Sequence, residues 1–203
     1  YDNNIGLSDI EKVMLTGVGS AYIDSPIYGL STDKAEEFIA DGLGAEYESR
    51  LTRIIVVSMG TGTSFVRCDG DKIKHIGGTG IGGGTLQGLS RLLLQTSDIK
   101  EVSEMAKDGD ISNINLLIGD ISARPLPGLP MDATASLSIG SASILSALNS
   151  DVKDFVLIGN LTLLPLCQTV FPIMEKLYGV RFFIPKYAEF CTAIGGSLYY
   201  LKK

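Results

Sequence analysis

Between residues 77 and 84 the chain reads Gly-Gly-Thr-Gly-Ile-Gly-Gly-Gly, six glycines in eight positions. Each glycine costs backbone entropy, so the run is read as a loop that no regular element occupies. The residues after it, 85–95, place Leu86, Leu89, Leu92 and Leu93 on one face of a helix. A glycine loop that opens a helix brings free N–H groups and the positive end of the helix dipole to one point, which is an anion site. The run is not a Walker A loop, because no Gly-Lys-Ser/Thr follows, and the strand before it is too short and polar for a dinucleotide fingerprint.

The surrounding pattern is α/β. KVMLTG at 12–17 is the first strand, and an irregular stretch with Pro26 and Gly29 follows it. From Asp33 the apolar positions Ala35, Phe38, Ile39 and Leu43 have a helical period, broken by Gly42 and Gly44. Residues 53–78 read as a meander: strand, glycine turn, strand, Asp-Gly turn and a short third strand. A second amphipathic helix covers 97–110, and the proline-rich segment 123–132 is a connector that resists helix and ladder alike. Residues 138–149 read as the tail of a small-residue helix, and DFVLIGN at 154–160 as a buried strand entering a turn. A helix interrupted by Pro165 and Pro172, a strand at 181–185 and a closing helix from residue 188 complete the chain.

Composition excludes several classes of function. With 23 acidic against 17 basic residues the net charge is −6, the wrong sign for a nucleic-acid partner. Cys68, Cys167 and Cys191 are dispersed in apolar surroundings without a CxxC pair, which reads as reduced core thiols in a cytoplasmic protein. The polar start and the lack of an apolar run of about 18 residues predict a soluble chain with no membrane partner.

Five features can carry chemistry. In Met59-Gly60-Thr61-Gly62-Thr63-Ser64 the glycines let amides approach an anion and the hydroxyls donate to phosphate, although a plain hairpin turn uses the same residues. The glycine loop is the second. The third is Glu36-Glu37, where a carboxylate can take the proton of an attacking hydroxyl, or merely be solvated on a helix. His75, flanked by Lys72 and Lys74, is either a surface histidine or part of an anion clamp. Gly159-Asn160 ends a strand, where ligands gather in α/β sheets.

Taken in order, LTG, EEF, MGTGTS, HIGGTGIGGGTLQGLS, EMAKDGD, DATAS, VLIGNLT and AEFCTAIGGSL resemble the type II pantothenate kinases, members of the acetate and sugar kinase, heat-shock ATPase and actin superfamily. The resemblance implies a two-lobed ATPase-superfamily (ribonuclease H-like) fold with mixed sheets flanked by helices. Residues 1–50 would be the remnant of an N-terminal lobe with the catalytic carboxylate, and 51–203 a C-terminal lobe binding nucleotide and substrate. It further implies a cytoplasmic homodimer that uses ATP and Mg2+ to phosphorylate pantothenate at the head of coenzyme A synthesis.

Matched residue by residue, Glu37 takes the place of the catalytic base, with Glu36 as the fallback. Thr61, Gly83, Gly84, Thr85, Leu86, Gln87, Ile99 and Asn160 fall on ATP-binding positions, and Ser64 and His75 on pantothenate-contacting ones. No protein metal ligand is assigned. His75 stands where several relatives carry arginine, and a histidine is a weaker, pH-dependent clamp than a guanidinium. The family's opening strand pair with its Asp-Gly-Gly-Thr loop is absent from the sequence, as is a longer helical segment between Ser136 and Leu137, so the chain as written is expected to be an incomplete kinase. The alternatives are another small-molecule kinase of the superfamily, a catalytically inactive nucleotide-binding subunit, or a dehydratase-activating ATPase. The scattered cysteines argue against the last.

Overall fold

The computed structural model describes residues 5–110, 113, 117–124, 131–132, 138–147 and 150–202. Its centre is a five-stranded mixed sheet. Strands β3 (Arg53–Met59), β4 (Thr63–Asp69) and β5 (Lys72–Thr79) form the antiparallel meander. The strands β6 (Asp154–Ile158) and β7 (Arg181–Phe183) join it in parallel, giving the spatial order β5-β4-β3-β6-β7. A separate parallel pair links β1 (Val13–Leu15) to β2 (Thr32–Lys34).

β3 and β6 are covered on both faces, which explains their unbroken apolar runs. Alternation divides the core in two. Ile54, Val56, Val66, Cys68, Val156 and Ile158 face α1 (Glu37–Ser49) and α7 (Cys191–Leu201) through Ala45 and Cys191. Ile55, Val57, Met59, Phe155 and Leu157 face Ile139, Ala142 and Ile144 of α5 (Ser138–Ser146), and Cys167 and Phe171 of α6 (Pro165–Tyr178). Each such side chain contributes roughly 1.5–3 kcal/mol relative to its exposed state. Among the described residues the other α-helices are α2 (Gly83–Leu94), α3 (Ile99–Ala106) and the short α4 (Ile118–Ile121).

α1 is buried all round from Ala40 to Ala45 because it is held between the sheet and α7. Its glycines are what make that possible. A Cβ at Gly42 would stand 2.6 Å from Ile73 Cγ2 on the sheet side, and one at Gly44 1.8 Å from the Cys191 carbonyl oxygen of α7. Gly195 answers from α7, where a Cβ would meet the Ala40 carbonyl oxygen at 1.8 Å. The two helices therefore cross backbone to backbone.

The structure revises several expectations. Gly42 and Gly44 do not break the first helix, since the contact they permit outweighs their low propensity; that helix starts at Glu37, behind β2, rather than at Asp33. The glycine run is not one loop. Its first three residues finish β5, where a bulge leaves Ile76 outside the pairing and Gly77 takes φ +152°, and its last two open α2. Pro165 does not interrupt its helix but starts it at the first turn, where a missing N–H is harmless, and α6 continues through Pro172. Leu89, Leu92 and Leu93 of α2 are exposed. The middle of the proline-rich connector and the Ser136/Leu137 junction lie outside the described residues.

Candidate active site

Two groups of residues meet at the carboxyl end of β3, where Ser58, Met59 and Gly60 are consecutive but face different sides of the sheet.

On the α5/α6 side the turn 60–62 receives the start of α2. The Gly83 amide donates to the Gly60 carbonyl and the Gly84 amide to the Thr61 carbonyl, both at 2.8 Å. The Thr63 hydroxyl donates to the Ile81 carbonyl and the Thr85 hydroxyl to that of Gly80, each at 2.8 Å. Two of the amides that the sequence reading aimed at an anion thus build the junction itself. Thr61, at the tip of the turn, stays exposed.

β6 ends against the same junction. Gly159 has φ +94°, and a Cβ there would stand 2.6 Å from the Met59 carbonyl oxygen, so only glycine lets the ends of β3 and β6 abut. Asn160 follows, exposed, at the start of a 3-10 turn whose Thr162 hydroxyl donates back to the Gly159 carbonyl at 2.7 Å.

Two apolar cavities open beside this frame. One of about 350 Å³ is lined by Met59, Ile81, Thr85, Leu86 and Leu161, and one of about 320 Å³ by Leu86, Ile99, Val102, Leu164 and Pro165. Both are large enough for a small ligand. Ile99 is set by the N-cap of α3, where the Asp98 carboxylate accepts from the amides of Lys100 and Glu101. Gln87 is exposed and reaches toward the Ser97 carbonyl at 3.4 Å.

The α1/α7 side carries the carboxylates. Glu36 is the N-cap of α1, its carboxylate accepting from the amides of Phe38 at 3.2 Å and Ile39 at 2.9 Å. That local capping distinguishes the adjacent glutamates: the Glu36 carboxylate is tied to the backbone, whereas Glu37 is half-buried in the first turn and makes no capping bond. Phe38 stacks on His75 of β5 with ring centroids 4.0 Å apart and planes 12° from parallel, so the histidine is held one residue from Glu37. Ser64 pairs with Ser58 across β4 and β3 on the same face. Glu37, Ser64 and His75 therefore share one side of the sheet; Thr61, Gly83, Gly84, Thr85, Leu86 and Asn160 gather at the end of β3 on the other, and Ile99 lines the second cavity beyond Leu86.

The sequence reading missed Asp41, one helical turn after Glu37 and with no exposed surface. Its Oδ1 accepts from the Thr192 hydroxyl of α7 at 2.5 Å, while Oδ2 has no hydrogen-bond partner. Burial pushes this carboxyl up from 3.8 to about 6, against the opposing pull of the Thr192 and Ser58 hydroxyls and with help from the charges of Glu37 and Glu36. The available signal was a lone acid within the small and apolar stretch Ile39-Ala40-Asp41-Gly42-Leu43-Gly44.

Comparison with known proteins fits this frame. The sequence model of the Fumble family matches residues 32–161. Type II pantothenate kinases of Staphylococcus aureus, among them those of strains USA300 and NCTC 8325 / PS 47, are 38% identical over 132 residues, covering 63% of this chain and 49% of theirs. The chain spans about half the length of the curated relatives it matches. Two solved structures share the fold. The activator of the 2-hydroxyisocaproyl-CoA dehydratase from Clostridium difficile with bound ADPNP aligns at TM-score 0.58 and 12% identity, over 97% of this chain and 75% of its own. Component A of the (R)-2-hydroxyglutaryl-CoA dehydratase from Acidaminococcus fermentans aligns at TM-score 0.61 and 18% identity, over 96% and 78%. At these identities the likeness concerns the fold alone.

Proposed function

The chain belongs to the Fumble family, and on that premise we propose that it serves the ATP-dependent phosphorylation of pantothenate to 4′-phosphopantothenate, with Glu37 as general base. The observation that carries the reading is the division between the two glutamates: with Glu36 bound to its own helix, Glu37 is the carboxylate available beside the stacked Phe38–His75 pair.

In this reading the base and sugar of ATP use the apolar cavities past Leu86, Ile99 and Asn160, and its phosphates lie at the tip formed by Thr61 and the start of α2. Pantothenate binds on the α1/α7 side, within reach of Ser64 and His75. Glu37 accepts the proton of the substrate hydroxyl as that oxygen forms its bond to the γ-phosphorus, and the bond from phosphorus to the β,γ-bridging oxygen breaks in line, releasing ADP. Most of the acceleration comes from positioning and charge stabilisation, since phosphoryl transfer asks little covalent chemistry of the protein.

Among the described residues no three carboxylate, histidine or cysteine side chains converge as a metal cage. Mg2+ in this reading is carried chiefly by the nucleotide phosphates, where it neutralises developing charge. Residues 1–50 then supply the catalytic carboxylate, and 51–203 bind both nucleotide and substrate, in a cytoplasmic homodimer.

The test is a coupled ADP-release assay on the full-length protein with pantothenate, pantetheine and simple sugars. Glu37→Gln should abolish transfer to pantothenate while ATP binding, measured by calorimetry, is kept. Full activity in that variant defeats the assignment, and turnover with a sugar alone moves the protein to another kinase of the superfamily.

A further inference from the structure

Asp41 has the features of a group kept for a purpose other than stability. A buried carboxylate with one oxygen unpartnered is costly. It lies on α1 at the crossing with α7, where Gly44 and Gly195 bring the helices into backbone contact and leave no room to relax. Its one hydrogen bond joins that crossing, Thr192 donating from α7. Spacing by four residues puts it on the same helical face as Glu37. The Ser58 hydroxyl, at the end of β3 where the two halves of the site meet, also favours its ionised form from outside ordinary hydrogen-bond geometry.

We infer that Asp41 is a positioning residue for the Glu37 base: in its ionised form it pins the first turns of α1 to α7 through Thr192, and phosphoryl transfer requires that form. The inference rests on the reading of Glu37 given above. When Asp41 gains a proton, its charge-assisted bond from Thr192 weakens to a neutral one, so the turn carrying Glu37 is oriented less firmly against α7 while the backbone crossing at Gly44 and Gly195 stays in place.

The groups acting on Asp41 are few. On its own helix the leading charges are Glu36 and Glu37, both anionic. From the sheet Cys68 faces it, and from α7 Cys191; burial pushes both thiols up to about 12, so each is neutral at working pH. Activity should therefore fall on the acid side near pH 6, as Asp41 takes its proton.

Steady-state kinetics of the full-length protein from pH 5 to 8 test this with Asp41→Asn, Thr192→Val, Thr192→Ser and Glu37→Gln. Thr192→Val removes the donor that favours the ionised form, so the acid limb of kcat/KM should move up by about 1 pH unit, and Thr192→Ser should restore it. Asp41→Asn removes the titrating group, so the limb near pH 6 should disappear while kcat falls and KM for ATP holds.

A purely structural role would lower the rate equally at every pH. Unmoved limbs in Thr192→Val, with Glu37→Gln inactive, overturn the inference alone. If Asp41→Asn does not fold, the Thr192 pair decides. A wild-type protein without transfer, or an active Glu37→Gln, instead overturns the reading on which the inference rests.

Discussion

Replacing Gly195 with alanine should damage this protein far more than one methyl group suggests. The added carbon would stand 1.8 Å from the Ala40 carbonyl oxygen, 2.6 Å from its carbonyl carbon and 2.8 Å from the Gly44 amide nitrogen. All three are backbone atoms of α1, so no side chain can swing away. A close carbon–oxygen contact is about 3.3 Å, so α1 and α7 must part by about 1.5 Å.

Overpacking of this kind costs typically 1–3 kcal/mol, and the rigid obstacle puts it at the upper end. The gain in helix propensity from glycine to alanine returns roughly 0.8–1 kcal/mol. A net loss of about 2 kcal/mol in a chain of this size lowers the melting temperature by about 4–8 °C. Gly88 in α2 is the control, because an added Cβ meets nothing within 4 Å; Gly88→Ala should leave the melting temperature unchanged or raise it. Thermal melts by circular dichroism decide the matter. A Gly195→Ala protein that melts with the wild type would show that the helices do not cross at backbone contact. If Glu37 is the base proposed above, the same variant should also lose transfer activity, because α1 carries it.

Three further outcomes are expected. Asp41 holds its proton more tightly folded than unfolded, so its stabilisation is complete below pH 3.8 and is lost as pH rises through about 6. The loss is on the order of 2–3 kcal/mol, and denaturant titrations from pH 4 to 7 should show a shallower pH dependence in Asp41→Asn than in the wild type. Half-buried Glu46, pushed up to about 7 by burial, acts in the same direction in both proteins. Leu164 lines both apolar cavities, so Leu164→Trp should weaken ATP binding about tenfold by calorimetry, the equivalent of some 1.4 kcal/mol, with the melting temperature nearly unchanged. Cys68 and Cys191, at about 12, are almost wholly thiol at pH 8; in native protein iodoacetamide should reach Cys167, at the cavity wall, before either of them, as peptide mass mapping would show.

Much of this molecule is legible along the chain because it is local. The apolar runs 54–57 and 155–158 announce strands buried on both faces, the turns at 60–62 and 70–71 join the meander, and the EEF, MGTGTS and GGTGIGGGT blocks mark the candidate site. Local chemistry also separates Glu36 from Glu37, since an N-cap needs only the next two or three amides.

What the sequence left open depends on partners far along the chain. Whether Gly42 and Gly44 break a helix or let one pass was decided by Ile73, Cys68 and Cys191, and propensity carries no information about neighbours that arrive later. The amides of Gly83 and Gly84 looked free for an anion until the turn at Gly60 and Thr61 claimed them. Asp41 was not singled out at all; its burial, its bond from a residue 151 positions away and its shifted acidity exist only once α7 closes over α1. Periodicity and turn chemistry are properties of neighbouring residues, whereas burial and close backbone contact are properties of the packed whole.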